Sequence, residues 1–240
     1  MLPDDEVERI LVVTAHPDDV DFGVAGSVAR WTAAGAQVTY CIVTDGDAGG
    51  FDPDVPRSDI AGIRRGEQID AGAQIGVDDV RFLGYPDGRL EVTMDLRRDI
   101  SRVIRSVWPR RVVTQSPLRT MESVYRDHPD HLACGEATAC AVYPDARNPF
   151  TFTELMAEGL DAWSVEELWF MGPAPGVPDS FVDITDTFDA KMKALRCHVS
   201  QLSDPEGMEV RLREWNGANA VAGGLPEGRL AERFVVMPTA

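Results

Sequence analysis

Positive charge is scarce in this chain: 23 Lys and Arg face 40 Asp and Glu, for a formal net charge of −17, and Lys191 and Lys193 are its only lysines. A field of that sign repels nucleic acid and anionic membrane, which both need a basic footprint, so neither is expected as a partner. The preference for arginine reads as coding bias. No apolar run approaches the ~20 residues that span a bilayer. The opening segment Met1–Ile10 is acidic and lacks the basic and apolar regions of a secretory signal, so a cytoplasmic location is the expectation. Cysteine is sparse too. Cys41, Cys134, Cys140 and Cys197 form no C-x-x-C pair and read as reduced, partly buried side chains, not a disulfide frame or a zinc knuckle.

What is present suits one sizeable core. Apolar residues make up 44% of the 240, and a single domain over 1–240 is expected, without repeats or a linker. Arg9–Ala15 has the pattern of a strand buried on both faces, followed by a helix over Val20–Ala34 and a second strand at Gln37–Thr44. Helices at Ser58–Ile75 and Asp95–Val107 alternate with strands at Val80–Leu83 and Arg110–Gln115. This βαβ alternation predicts an α/β, Rossmann-like fold: a mostly parallel sheet with helices on both faces. Beyond it the expectation is a long loop over Ser116–Asp127, a helix over His131–Val142 and strands at Glu167–Met171 and Ser180–Ile184. Helices at Phe188–Leu202 and Glu209–Trp215 and a closing strand at Arg233–Met237 complete the reading.

Histidine is as scarce as cysteine but more informative: there are four, and three lie in two short motifs. His16 opens His16-Pro17-Asp18-Asp19 at the C-terminal end of the first strand, where open α/β sheets place ligands. His128-Pro129-Asp130-His131 follows the fourth strand and leads into a helix. The loops after these two strands can face each other across the switch point of the sheet. Histidine and aspartate are the ligand types of a catalytic zinc site, and an adjacent carboxylate can serve as base to the attacking water. Each motif alone has a plainer explanation: a hydrogen-bonded histidine at a strand end, aspartates complementing a helix dipole, a proline starting a helix. Two such motifs at equivalent strand ends weigh against it.

The chain resembles the PIG-L/LmbE family of zinc-dependent N-deacetylases, whose fingerprint is A-H-P-D-D near the first strand and a later H-x-D-H. The likeness extends through the T-x-G-x-x-G loop at Thr44–Gly49, Arg64-x-x-Glu67, the L-G-x-P-D-G segment at Leu83–Gly88, and Phe181 to Gln201 with its H-x-S-Q end. The resemblance implies zinc ligation by His16, Asp19 and His131, with another divalent ion such as Fe2+ as an alternative. It implies Asp18 as general base on the metal-activated water, and His128 as stabiliser of the oxyanion or proton donor to the leaving nitrogen. Asp130 would orient a motif histidine. Arg64 and Asp87 match positions near the bound sugar in relatives; the alternative is a surface Arg64–Glu67 pair and an ordinary Pro86–Gly88 turn. His198 matches a segment that in some relatives approaches a neighbouring subunit's site; the alternative is a partly buried residue at a helix end. Where the family often carries Glu, this chain has Asp21, and Arg126 stands where some members have a tyrosine. The implied activity is deacetylation of an N-acetylglucosaminyl-type small molecule or glycoconjugate, with a trimer or hexamer by analogy. An amidase of the same fold acting on a larger amide, such as a thiol conjugate, would share the centre. A non-catalytic nucleotide-binding module is the rival from another class. It calls for a G-x-G-x-x-G turn after the first strand, where this chain instead places two carboxylates that repel phosphate.

Overall fold

A computed structural model of the chain describes residues 1–121 and 123–239; Glu122, which falls within the loop expected over Ser116–Asp127, and Ala240 lie outside the described residues. After a single 3-10 turn at Asp4–Glu6 come β1 (Arg9–Thr14), α1 (Asp19–Gly23), α2 (Ala25–Ala33), β2 (Gln37–Thr44), α3 (Arg57–Gln74) and β3 (Asp79–Tyr85). Then follow α4 (Met94–Val107), β4 (Arg111–Gln115), α5 (Pro129–Cys140), α6 (Thr153–Ala157), β5 (Glu167–Met171), β6 (Ser180–Asp183), α7 (Phe188–Leu195), α8 (Pro205–Ala222) and β7 (Ala231–Pro238). The strands form one sheet in the order β3-β2-β1-β4-β5-β7-β6. The first five run parallel, and β7 lies antiparallel to both β5 and β6.

β1 is central, and its alternation divides the core. Ile10 and Val12 join Val20, Val28, Trp31 and Phe188 on one face. Leu11 and Val13 join Leu96, Ile104, Cys134 and Ala137 under α4 and α5 on the other. All four are fully buried, each stabilising the fold by roughly 1.5–3 kcal/mol. A strand buried on both faces has no room for polar alternation, which is why β1 reads as a continuous apolar run. All four cysteines are free, and Cys41 and Cys134 are buried.

Four expectations change. The helix expected over Val20–Ala34 is two, broken at Val24 with φ −143° and ψ 2°. Its halves are seated separately: a Cβ on Gly23 would meet Met171 Sδ at 2.4 Å, and one on Gly26 would meet Ile184 at 2.8 Å. The helix expected over Phe188–Leu202 ends at Leu195, and the chain turns inward at His198 before a 3-10 turn at Val199–Gln201. The helix expected at Glu209–Trp215 is 18 residues long, because Asp204 caps it by accepting from Gly207 N and Pro205 occupies its first position. The short α6 was not anticipated. Among the tryptophans, Trp31 and Trp169 are buried, whereas Trp108 and Trp215 are half exposed.

Between β1 and β4 the order of connection reverses, since β2 lies on one side of β1 and β4 on the other. The loops leaving β1 and β4 therefore open a crevice at the carboxyl ends of the strands. Ala15 N donates to Gln115 Oε1 at 2.9 Å, tying the two strand ends together beneath it.

Candidate metal centre

The chain leaves β1 through a tight turn in which Asp19 N lies 3.4 Å from His16 O. Proline stands second, and Asp18 stands third with φ 91° and ψ −31°, the pattern of a type II turn, whose third position favours glycine or asparagine. Aspartate held there costs about 1–3 kcal/mol. The turn aims neighbouring carboxylates differently. Asp19 folds back, its Oδ2 accepting from His16 N at 2.7 Å, while Asp18 faces Arg64 Nη2 at 3.2 Å.

From the other side of the crevice α5 brings its first turn. His128 is its N-cap, with Nδ1 accepting from Asp130 N at 3.2 Å, and Pro129 sits at the first helical position. One turn on, His131 points at the β1 turn. Its Nε2 lies 3.1 Å from Asp19 Oδ1 and 3.3 Å from His16 Nδ1, and His16 Nδ1 lies 3.1 Å from Asp19 Oδ2. Donor atoms about 3.3–3.6 Å apart are what a tetrahedral zinc with ligands at about 2.0–2.2 Å requires. Two imidazole nitrogens and a carboxylate facing one another can share a proton pairwise, but one cation satisfies all three lone-pair sets. The donor set fits a divalent metal.

The opposite edge of His16 explains its orientation. Nε2 lies 3.2 Å from Asp130 Oδ2 and 3.1 Å from Asp87 Oδ1. Asp130 also accepts from Gly88 N at 2.7 Å and Leu90 N at 3.2 Å. Two further groupings hold three potential ligands within 4.8 Å: His16 with His128 and His131, and His16 with Asp87 and Asp130. In the second, Asp130 is already committed to two backbone amides and to the His16 ring, so its carboxylate suits a buttress better than a ligand. In the first, His128 Nδ1 is committed to the Asp130 amide.

Charge in the crevice is closely matched. Burial works to lower the His16 pKa, but Asp19, Asp130 and Asp87 together push it up to about 12. Burial opposes ionisation of Asp19 as well, yet His131 and His16 hold it well below the usual carboxylate range. Asp18 is raised to about 6 by burial, with Arg64 pulling it down and Asp19 pushing it up. Burial and the neighbouring His16 and His131 lower His128.

The structure thus brings His16, Asp18, Asp19, Asp87, His128, Asp130, His131 and Arg64 into one crevice. Arg64 is no surface partner of Glu67: it is buried, donating to Pro17 O at 2.5 Å and Gly46 O at 3.0 Å. Glu67 instead receives Ser200 N and Oγ, both at 2.7 Å. His198 stands behind the crevice, fully buried, with Nε2 2.7 Å from Asp21 Oδ2. Tyr125 is exposed to solvent. Sequence reasoning passed over Gln68, whose Oε1 accepts from Asp18 N at 2.8 Å. Its spacing of four from Arg64 on one helix face was the available signal.

The chain is similar to known proteins over most of its length. Residues 11–142 match the family model PIG-L, described as GlcNAc-PI de-N-acetylase. The chain is 33% identical over 207 residues to diacetylchitobiose deacetylase of Thermococcus kodakarensis, covering 84% of this chain and 73% of that one. It is 34% identical over 212 residues to a Bacillus subtilis protein named "Probable N-acetyl-alpha-D-glucosaminyl L-malate deacetylase 2", covering 86% and 88%. Among solved structures, N,N'-diacetylchitobiose deacetylase from Pyrococcus horikoshii superposes with a TM-score of 0.89 at 29% identity, covering 99% of this chain and 86% of that one.

Proposed function

The chain belongs to the PIG-L (GlcNAc-PI de-N-acetylase) family, and from that premise we propose that it is a zinc-dependent hydrolase removing the acetyl group from an N-acetylated amino sugar. The carrying observation is the triangle of His16 Nδ1, Asp19 and His131 Nε2 at 3.1–3.3 Å, with the Asp18 carboxylate beside it on the same turn. His16, Asp19 and His131 would hold the metal, which when bound supplies Lewis acidity that makes water nucleophilic near neutral pH and polarises the amide carbonyl.

The chain's own residues supply the remaining steps. Asp130 accepts the His16 Nε2 proton, which fixes the tautomer and leaves Nδ1 as a ligand. Asp18 takes the proton of the attacking water. His128 accepts from Asp130 N through Nδ1, so its neutral ring carries the proton on Nε2 and is a donor there. That tautomer favours hydrogen bonding to the developing oxyanion over proton delivery. The proton on Asp18 then passes to the departing nitrogen, releasing acetate and the free amine. Asp87 and Arg64 flank the sugar, with Arg64, 4% exposed, acting through Asp18 and Asp87. The unit of activity is the whole of 1–240, supported by its one continuous sheet. Its compartment is the cytoplasm, supported by four free cysteines. The trimer or hexamer implied by resemblance is carried over as a proposal that sedimentation tests.

Metal analysis of purified protein, beside amine release from a panel of N-acetylglucosaminyl compounds, tests this reading. About one zinc per chain with chelator-sensitive release is the expected result. Zinc without release from any sugar would move the substrate to a larger amide. Failure to bind metal after reconstitution would overturn the reading.

A further inference from the structure

The strained backbone of Asp18 is held from behind. The peptide between Pro17 and Asp18 is gripped at both ends by α3: Arg64 Nη2 donates to Pro17 O, and Asp18 N donates to Gln68 Oε1. Gln68 is fully buried, and its amide cannot turn round. Its Nε2 donates to Asp21 Oδ2 at 2.8 Å, and an ionised carboxylate only accepts. The same Asp21 oxygen receives His198 Nε2 at 2.7 Å. The polarity therefore runs one way, from His198 to Asp21 on one side and from Asp18 through Gln68 to Asp21 on the other.

We propose that Gln68, Asp21 and His198 form a positioning chain that locks the Pro17–Asp18 peptide in its left-handed turn and thereby aims the Asp18 carboxylate. The relaxed alternative is reached by rotating that central peptide about half a turn, which returns Asp18 to negative φ. Rotation would set the Pro17 carbonyl against Gln68 Oε1, and the Asp18 N–H against the Arg64 guanidinium. Both contacts would then be like against like, so the clamp admits only the left-handed form. Stability alone gives little reason for such a network. Asp21 Oδ1 and His198 Nδ1 are both buried without a hydrogen-bond partner among the described residues, and a partly satisfied buried network is worse for stability than an apolar one. The proposal rests on Asp18 being the base.

The test is the volume-conserving Gln68→Met, alone and combined with Asp18→Asn. Gln68→Met is expected to keep the wild-type metal stoichiometry and a KM within about threefold, while kcat falls about 10- to 100-fold, the effect of a misaimed group rather than a lost binding contact. In the Asp18→Asn background the same change should cost no further turnover, because there is no base left to aim. A crystal structure of Gln68→Met should show the Pro17–Asp18 peptide rotated. Wild-type turnover in Gln68→Met, or an equal fractional loss in both backgrounds, would overturn the proposal. If the methionine variant does not fold, Asp21→Asn serves in the same cycle, since an amide there lets Gln68 turn round; its outcomes are read identically. If wild-type protein releases no amine, the deacetylase reading fails by itself. The clamp is then judged by the crystal structure, and an unrotated peptide in Gln68→Met overturns it.

Discussion

Asp18 and Asp19 are neighbours with different surroundings, and that difference divides their roles. Asp19 points both carboxylate oxygens at imidazoles; Asp18 points one at Arg64. Replacing Asp18 with alanine should leave metal bound and lower turnover by about two to four orders of magnitude. Replacing His131 with alanine should remove the metal as well, since it takes one vertex from the triangle. Paired metal analysis and amine release read both, and an Asp18→Ala protein with near-wild-type turnover would remove the base assignment. His128 gives a third outcome. As an oxyanion donor outside the triangle, its loss in His128→Ala should lower kcat about 10²–10³-fold with metal content unchanged. These residues were legible in sequence because each motif is contiguous and rich in side chains that seldom cluster without a ligand. Gln68 was not, because an amide acquires its role only through the tertiary contact that brings α3 to the β1 turn.

Between residues and fold lie the elements that hold the motifs, and here sequence reading was reliable where one periodicity ran uninterrupted. β1, β2 and α4 appeared within two residues of expectation, since a doubly buried strand and a helix capped by Thr93 carry local signals. The broken α1–α2 pair and the early end of α7 had none. Both depend on contacts made by other elements, Met171 and Ile184 beneath the glycines and Asp21 drawing His198 inward. That last contact has a pH signature. Burial lowers the His198 pKa, but Asp21 above all, with Asp18 and Glu67, raises it above the ordinary imidazole value. A group whose folded pKa is raised contributes stability that is complete below its unfolded value, about 6.5, and is lost as pH rises through the folded value. The unfolding free energy of wild type over His198→Gln should therefore be greatest near pH 6 and shrink on the alkaline side. Denaturant titrations across that range measure it; a difference growing with pH would contradict the protonated pairing.

At the scale of the molecule, the three proposed ligands come from the turn after β1 and the first turn of α5, with His16 and His131 115 residues apart in sequence and joined only by the fold. A metal that binds there binds the folded state and not the unfolded chain, so its binding free energy adds to stability. With free metal a thousandfold above its dissociation constant the gain is about 4 kcal/mol. A chain of this size shifts by about 2–4 °C per kcal/mol, so chelation should lower Tm by about 8–16 °C. Part of that gain is electrostatic. Asp18, Asp19, Asp87 and Asp130 converge on the crevice of a chain carrying −17, and a divalent cation adds positive charge beside the Arg64 and histidine partners they already have. His131→Ala separates this from a general effect of cations on an acidic surface. The variant should start at the chelated Tm and show no further fall when chelator is added, whereas a surface effect would leave it as metal-sensitive as wild type. Calorimetry of the two proteins with and without chelator makes the comparison.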